Sequence, residues 1–214
     1  IAQDTQALVA VEKAIDGDIL SAFGGIVGVN RCCDSKIAAK VLEKLAFFDR
    51  TVRTAGWHTP AVTVVLDKMC YIDQDADAAT YLASMDALAA DFPTTVMVYA
   101  TMPLMTGEDA DNVLRNQYNQ AVRAHCLGNG ALLFDIADME AFDPAGNPQT
   151  FQYGGETYPK RYAGYTDDGG HLNAAGRQRV ALGWYAVAAT LAGDPVFADG
   201  FESGTTGGWD ATSP

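Results

Sequence analysis

Positive charge is scarce in this chain. Fourteen lysines and arginines stand against 27 aspartates and glutamates, for a formal net charge of −13. Nucleic acids and anionic membranes need Lys/Arg patches, so neither is an expected partner. The acidity is spread along the chain, which favours solubility over one acidic site. Long apolar runs are also missing. None approaches the ~18 residues of a membrane-spanning helix. Histidine is rare, with three copies, and none of the four cysteines, Cys32, Cys33, Cys70 and Cys126, belongs to a CxxC pair. A zinc site is therefore not expected, nor any other metal or cofactor. An even cysteine count fits disulfides in an exported protein. Adjacent Cys32 and Cys33 seldom bond to each other, so each would reach a distant partner. Reduced, buried cysteines fit equally well. The chain starts at Ile1 rather than Met, and no signal peptide is legible in it.

What is present suits one sizeable domain. Over 214 residues, 49% are hydrophobic and 19% charged, enough for a full core. Residues 4–16 read as a helix and 18–29 as strand and turn. A helix over 36–48, capped by Asp34 or Ser35, buries Ile37, Val41, Leu45 and Phe48. Residues 53–60 read as a loop holding Trp57 and His58. The apolar, β-branched run 61–66 reads as a strand buried on both faces, 95–101 as another buried strand and 131–136 as a further strand. Helices are predicted over 78–92, where Tyr81, Met85, Leu88 and Phe92 share a face, over 108–126 with Leu114, Tyr118 and Val122, and over 174–192. Residues 141–165 read as a long polar and aromatic loop that walls a pocket. Strand and helix alternate regularly, which implies an α/β fold with a parallel sheet between two helical layers. Residues 1–192 form the domain, and 193–214 read as a Gly-, Ser- and Thr-rich tail.

The organising stretch is Asp167-Asp168-Gly169-Gly170-His171-Leu172-Asn173, a Gly-rich turn opening the last helix. It sets a carboxylate three residues before an imidazole. In a turn, that spacing lets Asp168 hold His171 in one tautomer, so that His171 acts as a general base toward a hydroxyl. The same spacing also suits a helix cap beside an ordinary turn histidine. Asp73, Asp75 and Asp77 alternate like calcium ligands, but no Gly and no terminal Glu complete an EF-hand loop. They read as a solvated acidic turn. Asp135 and Asp138 cap a helix or line a cleft rim, His58 and His125 are surface or satisfied polar residues, and Met85, Met97 and Met102 fill the core.

Over roughly residues 17–192 the chain resembles the SGNH, or GDSL-like, hydrolases. Asp168-Gly169-Gly170-His171-Leu172-Asn173 matches the family's Asp-x-x-His block. Lys68-Met69-Cys70-Tyr71-Ile72-Asp73, with Thr101-Met102-Pro103-Leu104 and Asn119, resembles one bacterial branch. The resemblance implies a three-layer α/β/α sandwich with a flavodoxin-like strand order. It also implies His171 as general base, Asp168 as its orienting partner, and an oxyanion-side polar group at Lys68 or Asp73, where most members have Asn. Gly28 and Asn30 resemble the block whose glycine amide donates to the oxyanion.

The family's nucleophilic serine follows the first strand. No such block is found here: Ser21 lies within a strand reading and Ser35 within a helix cap. The first strand and its serine are therefore expected upstream of Ile1, leaving a gap between the 18–29 and 61–66 strands for an upstream segment or a neighbouring chain to fill. The tail Phe197–Gly204 resembles short C-terminal tails of exported bacterial proteins. The expectation is a secreted or cell-surface serine esterase acting on a small-molecule or carbohydrate ester. The alternative is a non-catalytic extracellular binding or assembly subunit on the same fold.

Overall fold

The computed structural model describes residues 22–23, 26–28, 41–54 and 64–192. The expected helix at 4–16, Asn30, the 30–40 segment with Cys32 and Cys33, the loop holding Trp57 and His58, and the tail lie outside the described residues.

A five-stranded sheet forms the middle layer. Its strands are β1 (Ala22–Phe23), β2 (Ile26–Gly28), β3 (Val64–Leu66), β4 (Val96–Ala100) and β5 (Leu132–Phe134). β1 lies antiparallel to β2, and β2 to β5 run parallel. Registers set Ile26 beside Val64, Val64 beside Val96, and Val98 beside Leu132. Successive side chains point to opposite faces of a strand. Val65, Met97 and Tyr99 therefore pack against one helical layer. Val64, Leu66, Val98 and Ala100 pack against the other.

The first layer holds α1 (Val41–Thr54), α2 (Ala78–Asp91) and α3 (Ala110–Asn129). Each links two neighbouring parallel strands, and right-handed crossovers that step in one direction leave their helices on one face. α1 buries Leu45, Phe48 and Val52, spaced three and four residues apart. α2 buries Tyr81, Met85 and Leu88 completely. Its N-cap is Asp77, which accepts from the amides of Ala79 and Thr80. α3 starts at the N-cap Asp109 and ends at Gly130, whose φ of 63° supplies the left-handed cap. The second layer is the short α4 (Ile136–Glu140) and the long α5 (Ala174–Ala192). Ile136, Met139, Val180 and Val187 cover the sheet there.

This is the expected α/β sandwich, with two corrections. β2 pairs directly with β3, Gly28 beside Leu66, so there is no gap between them for a further strand to fill. The described strands follow one another in sequence order, not in the flavodoxin-like order, and direct pairing satisfies the β2 backbone groups that a gap would orphan. The second correction concerns 141–165. This segment is not loop throughout but contains a hairpin, β6 (Thr150–Tyr153) and β7 (Glu156–Pro159). Gly154 and Gly155 turn it with φ of 59° and 90°, the positive values that two-residue hairpin loops require.

Where β3 and β4 end, their backbones part, and the Tyr81 hydroxyl fills the space. It donates to the Asp67 carbonyl at 3.0 Å and accepts from the Ala100 amide at 3.0 Å. Tyr81→Phe removes both bonds inside a sealed core. It should cost about 1–3 kcal/mol of stability, read as a fall in the urea unfolding midpoint at unchanged slope.

Candidate active site

Loops leaving the carboxyl ends of a parallel sheet are where α/β proteins build sites. Here three of them meet: 67–73 after β3, 101–107 after β4, and 166–173 before α5. Buried side chains shape the middle one. Asn119 on α3 grips Met102, accepting from its amide at 2.6 Å and donating to its carbonyl at 2.9 Å. Asn112 does the same to Met105, at 3.2 and 3.0 Å, and also donates to the Gly107 carbonyl. Asn116 reaches the Pro159 carbonyl and so ties in the hairpin. Thr101 accepts from the Ala137 amide and donates to Asp135, the cap of α4.

The 166–173 loop is organised by one carboxylate. Oδ1 of Asp168 accepts from the amides of Gly170 at 2.9 Å and His171 at 2.7 Å, and from the Thr166 hydroxyl at 3.2 Å. Its Oδ2 lies 2.6 Å from Nδ1 of His171. An ionised carboxylate only accepts, so Nδ1 carries a proton, and in the neutral imidazole Nε2 then holds the lone pair. The imidazole of His171, then the amides of Gly170 and His171, hold the Asp168 carboxyl well below the usual carboxylate range. Both side chains remain more than half exposed. A bridge between Thr166 and Leu172 closes the loop. Gly169, with φ of 88°, makes its turn. The helix cap is supplied not by Asp168 but by Asn173, whose Oδ1 accepts from the Gly176 amide.

Tyr71 flanks the imidazole. Its phenol oxygen lies 3.1 Å from Nε2 and 3.4 Å from Nδ1, so it sits beside the ring and off the outward axis of the Nε2 lone pair, and the two rings meet edge to face with centroids 5.2 Å apart. Tyr71 fits because residue 170 is glycine: a Cβ there would come within 2.8 Å of the tyrosine ring. Buried Arg115 fixes the Tyr71 carbonyl at 2.6 Å. Tyr71 lay inside the quoted motif, but no local spacing in the sequence marks a contact a hundred residues away.

The other expected site residues fall apart into separate roles. Asp73 is buried, and its oxygens are committed to the Lys44 ammonium at 2.6 Å and the Cys70 amide at 2.8 Å. It serves as an anchor for α1, not as an oxyanion donor. Asp77 is a helix cap, so the 73–77 carboxylates do not form a calcium loop. Lys68 follows β3, and burial pushes its ammonium down to about 8, against the pull of Glu140, Asp73 and Asp67. Asp67 beside it is pushed up to about 7, also by burial. Gly28 ends β2 beside Leu66, and Asn30 lies outside the described residues. His125 pairs with Asp86 at 3.0 Å on the sheet's far side from α5, and Cys126 is a buried free thiol.

Two tests follow from this geometry. Asp168 has a folded value below its unfolded one. Its contribution is therefore complete above about pH 4, the ordinary carboxylate value, and is lost as pH falls through the depressed folded value. Amide exchange protection at Gly170 and His171 should hold down to about pH 4 and fail only below it. Asp168→Ala, which removes the acceptor, should lose that protection at every pH. Gly170→Ala should displace the Tyr71 ring, seen as loss of its nuclear Overhauser contacts to the imidazole.

Comparison with known proteins adds modestly. A family model described as AICARFT/IMPCHase bienzyme matches residues 1–72, well under half of the 214 residues, and includes neither Asp168 nor His171. No curated protein matches the chain. One similar solved structure is described as a lipolytic protein of the G-D-S-L family, from Desulfitobacterium hafniense DCB-2. It shares 9% identity over 67% of this chain and 74% of its own, with a TM-score of 0.46. Another is LAE5, an alpha/beta hydrolase enzyme from the metagenome of Lake Arreo, Spain, at 18% identity over 69% of this chain and 68% of its own, with a TM-score of 0.47. Likeness at this level carries no chemistry across, and the functional reading rests on the loop itself.

Proposed function

We propose that this chain is an acyl-ester hydrolase of the serine type, with His171 as general base and Asp168 as its orienting partner. The observation that carries the reading is the 2.6 Å Asp168–His171 contact, which engages Nδ1 and leaves Nε2 of the imidazole turned away from Asp168 at the strand ends. In the proposed reaction a serine hydroxyl attacks the ester carbonyl and its proton passes to Nε2. The imidazolium then returns that proton to the leaving alcohol, with Asp168 stabilising the cation. Among the described residues the only serine is Ser84, on the opposite helical layer, so the proposed nucleophile lies outside them. The Gly28 amide and the Lys68 ammonium are proposed as groups facing the oxyanion. Tyr153, exposed on the hairpin, and half-buried Tyr158 and Tyr162 support an extended substrate such as an acylated carbohydrate, since sugars stack on aromatic faces. Disulfides in an oxidising, extracellular setting are part of this proposal, supported by the even count of four cysteines.

The test uses the natural full-length protein with p-nitrophenyl esters and a fluorophosphonate. Hydrolysis, and fluorophosphonate labelling of one serine located by peptide mass spectrometry, are expected. His171→Ala should lower kcat at least about 100-fold, and Asp168→Asn by roughly 100- to 10,000-fold. Neither labelling nor hydrolysis in the full-length protein would leave the non-catalytic binding subunit as the better reading, with Tyr71 a permanent neighbour of the imidazole.

A further inference from the structure

Arg161 and Glu140 form an ion pair in the interior, with side chains 1% and 0% exposed. Nη2 of Arg161 lies 3.0 and 3.1 Å from the two carboxylate oxygens. Sealing two charges away from water is costly, and well-packed apolar residues often serve stability as well or better. The pair therefore needs an explanation other than strength, and its remaining bonds supply one. Nη1 of Arg161 donates to the carbonyl of Gly170, the residue before His171. Oε2 of Glu140 accepts from the Leu104 amide at 2.9 Å. The backbone of Arg161 donates to Met105 at 3.0 Å. The ion pair thus bridges α4, the strand-β4 loop and the histidine loop at the one peptide that sets where His171 leaves the backbone. A guanidinium is the side chain suited to this, because its planar fork serves a carboxylate and a carbonyl together.

We infer that Arg161, held by Glu140, is a positioning residue that fixes His171 on Asp168 through the Gly170 carbonyl. The inference rests on the general-base reading of His171 but is read without it. The measurement is the pair of imidazole 15N shifts of His171 in the full-length protein, which report the tautomer. The wild type should show the Nδ1–H form. Arg161→Lys keeps the charge but not the fork, so the shifts should move toward a tautomer mixture while circular dichroism stays unchanged. In the ester assay kcat should fall by about 100-fold, the effect of misplacing a catalytic group by about 1 Å, with KM within about twofold. If Arg161→Lys does not fold, Glu140→Gln, which preserves shape and removes the charge, should produce the same shift change. A folded variant that retains the wild-type 15N shifts overturns the inference. A wild type that shows the Nδ1–H form yet cleaves no ester overturns the hydrolase reading and leaves the positioning role standing.

Discussion

The constraint that governs this molecule is the satisfaction of backbone groups where parallel strands stop. Inside the sheet each amide and carbonyl has a neighbour. Beyond Leu66, Ala100 and Phe134 the ladder ends while the chain is still in the interior, and an unpaired buried peptide group is expensive. The chain answers with side chains that imitate a strand. Tyr81, Asn119, Asn112 and Glu140 each reach a main-chain group just past a strand end. These bonds convert the loops into fixed structure, and only fixed loops can hold a proton acceptor in a set orientation.

The dyad itself depends little on the sheet. Asp168 and His171 are three residues apart, and the bonds that aim them lie mostly within residues 166–173. Where the loop sits, by contrast, depends on Arg161, Thr106 and Tyr71, contributed by three other segments. Orientation is local, and location is tertiary.

That division explains what could be read from the residues in order. The helices at 78–92 and 174–192, the buried strands and the Asp168–His171 pairing are all short-range patterns, and the structure has each of them. α3 shows where such reading stops. Periodicity singled out Leu114 as part of its buried face, yet Leu114 is 39% exposed while Asn112, Arg115, Asn116 and Asn119 are buried. A polar residue goes inside when a distant segment brings it a partner, and that information is not in its neighbours. Arg161 and Glu140, 21 residues apart, were hidden for the same reason. The hairpin at 150–159 was legible in principle, since Gly154-Gly155 sits between alternating Thr, Phe and Tyr residues.

The His171 ring is held at Nδ1 by Asp168 and packed edge to face against Tyr71. An exposed imidazole ordinarily samples two flips and a range of χ2 values. This one has surrendered that freedom during folding. The entropy that a catalytic group loses on reaching its working geometry is then absorbed once, when the loop forms, and is not demanded again at each encounter with a substrate.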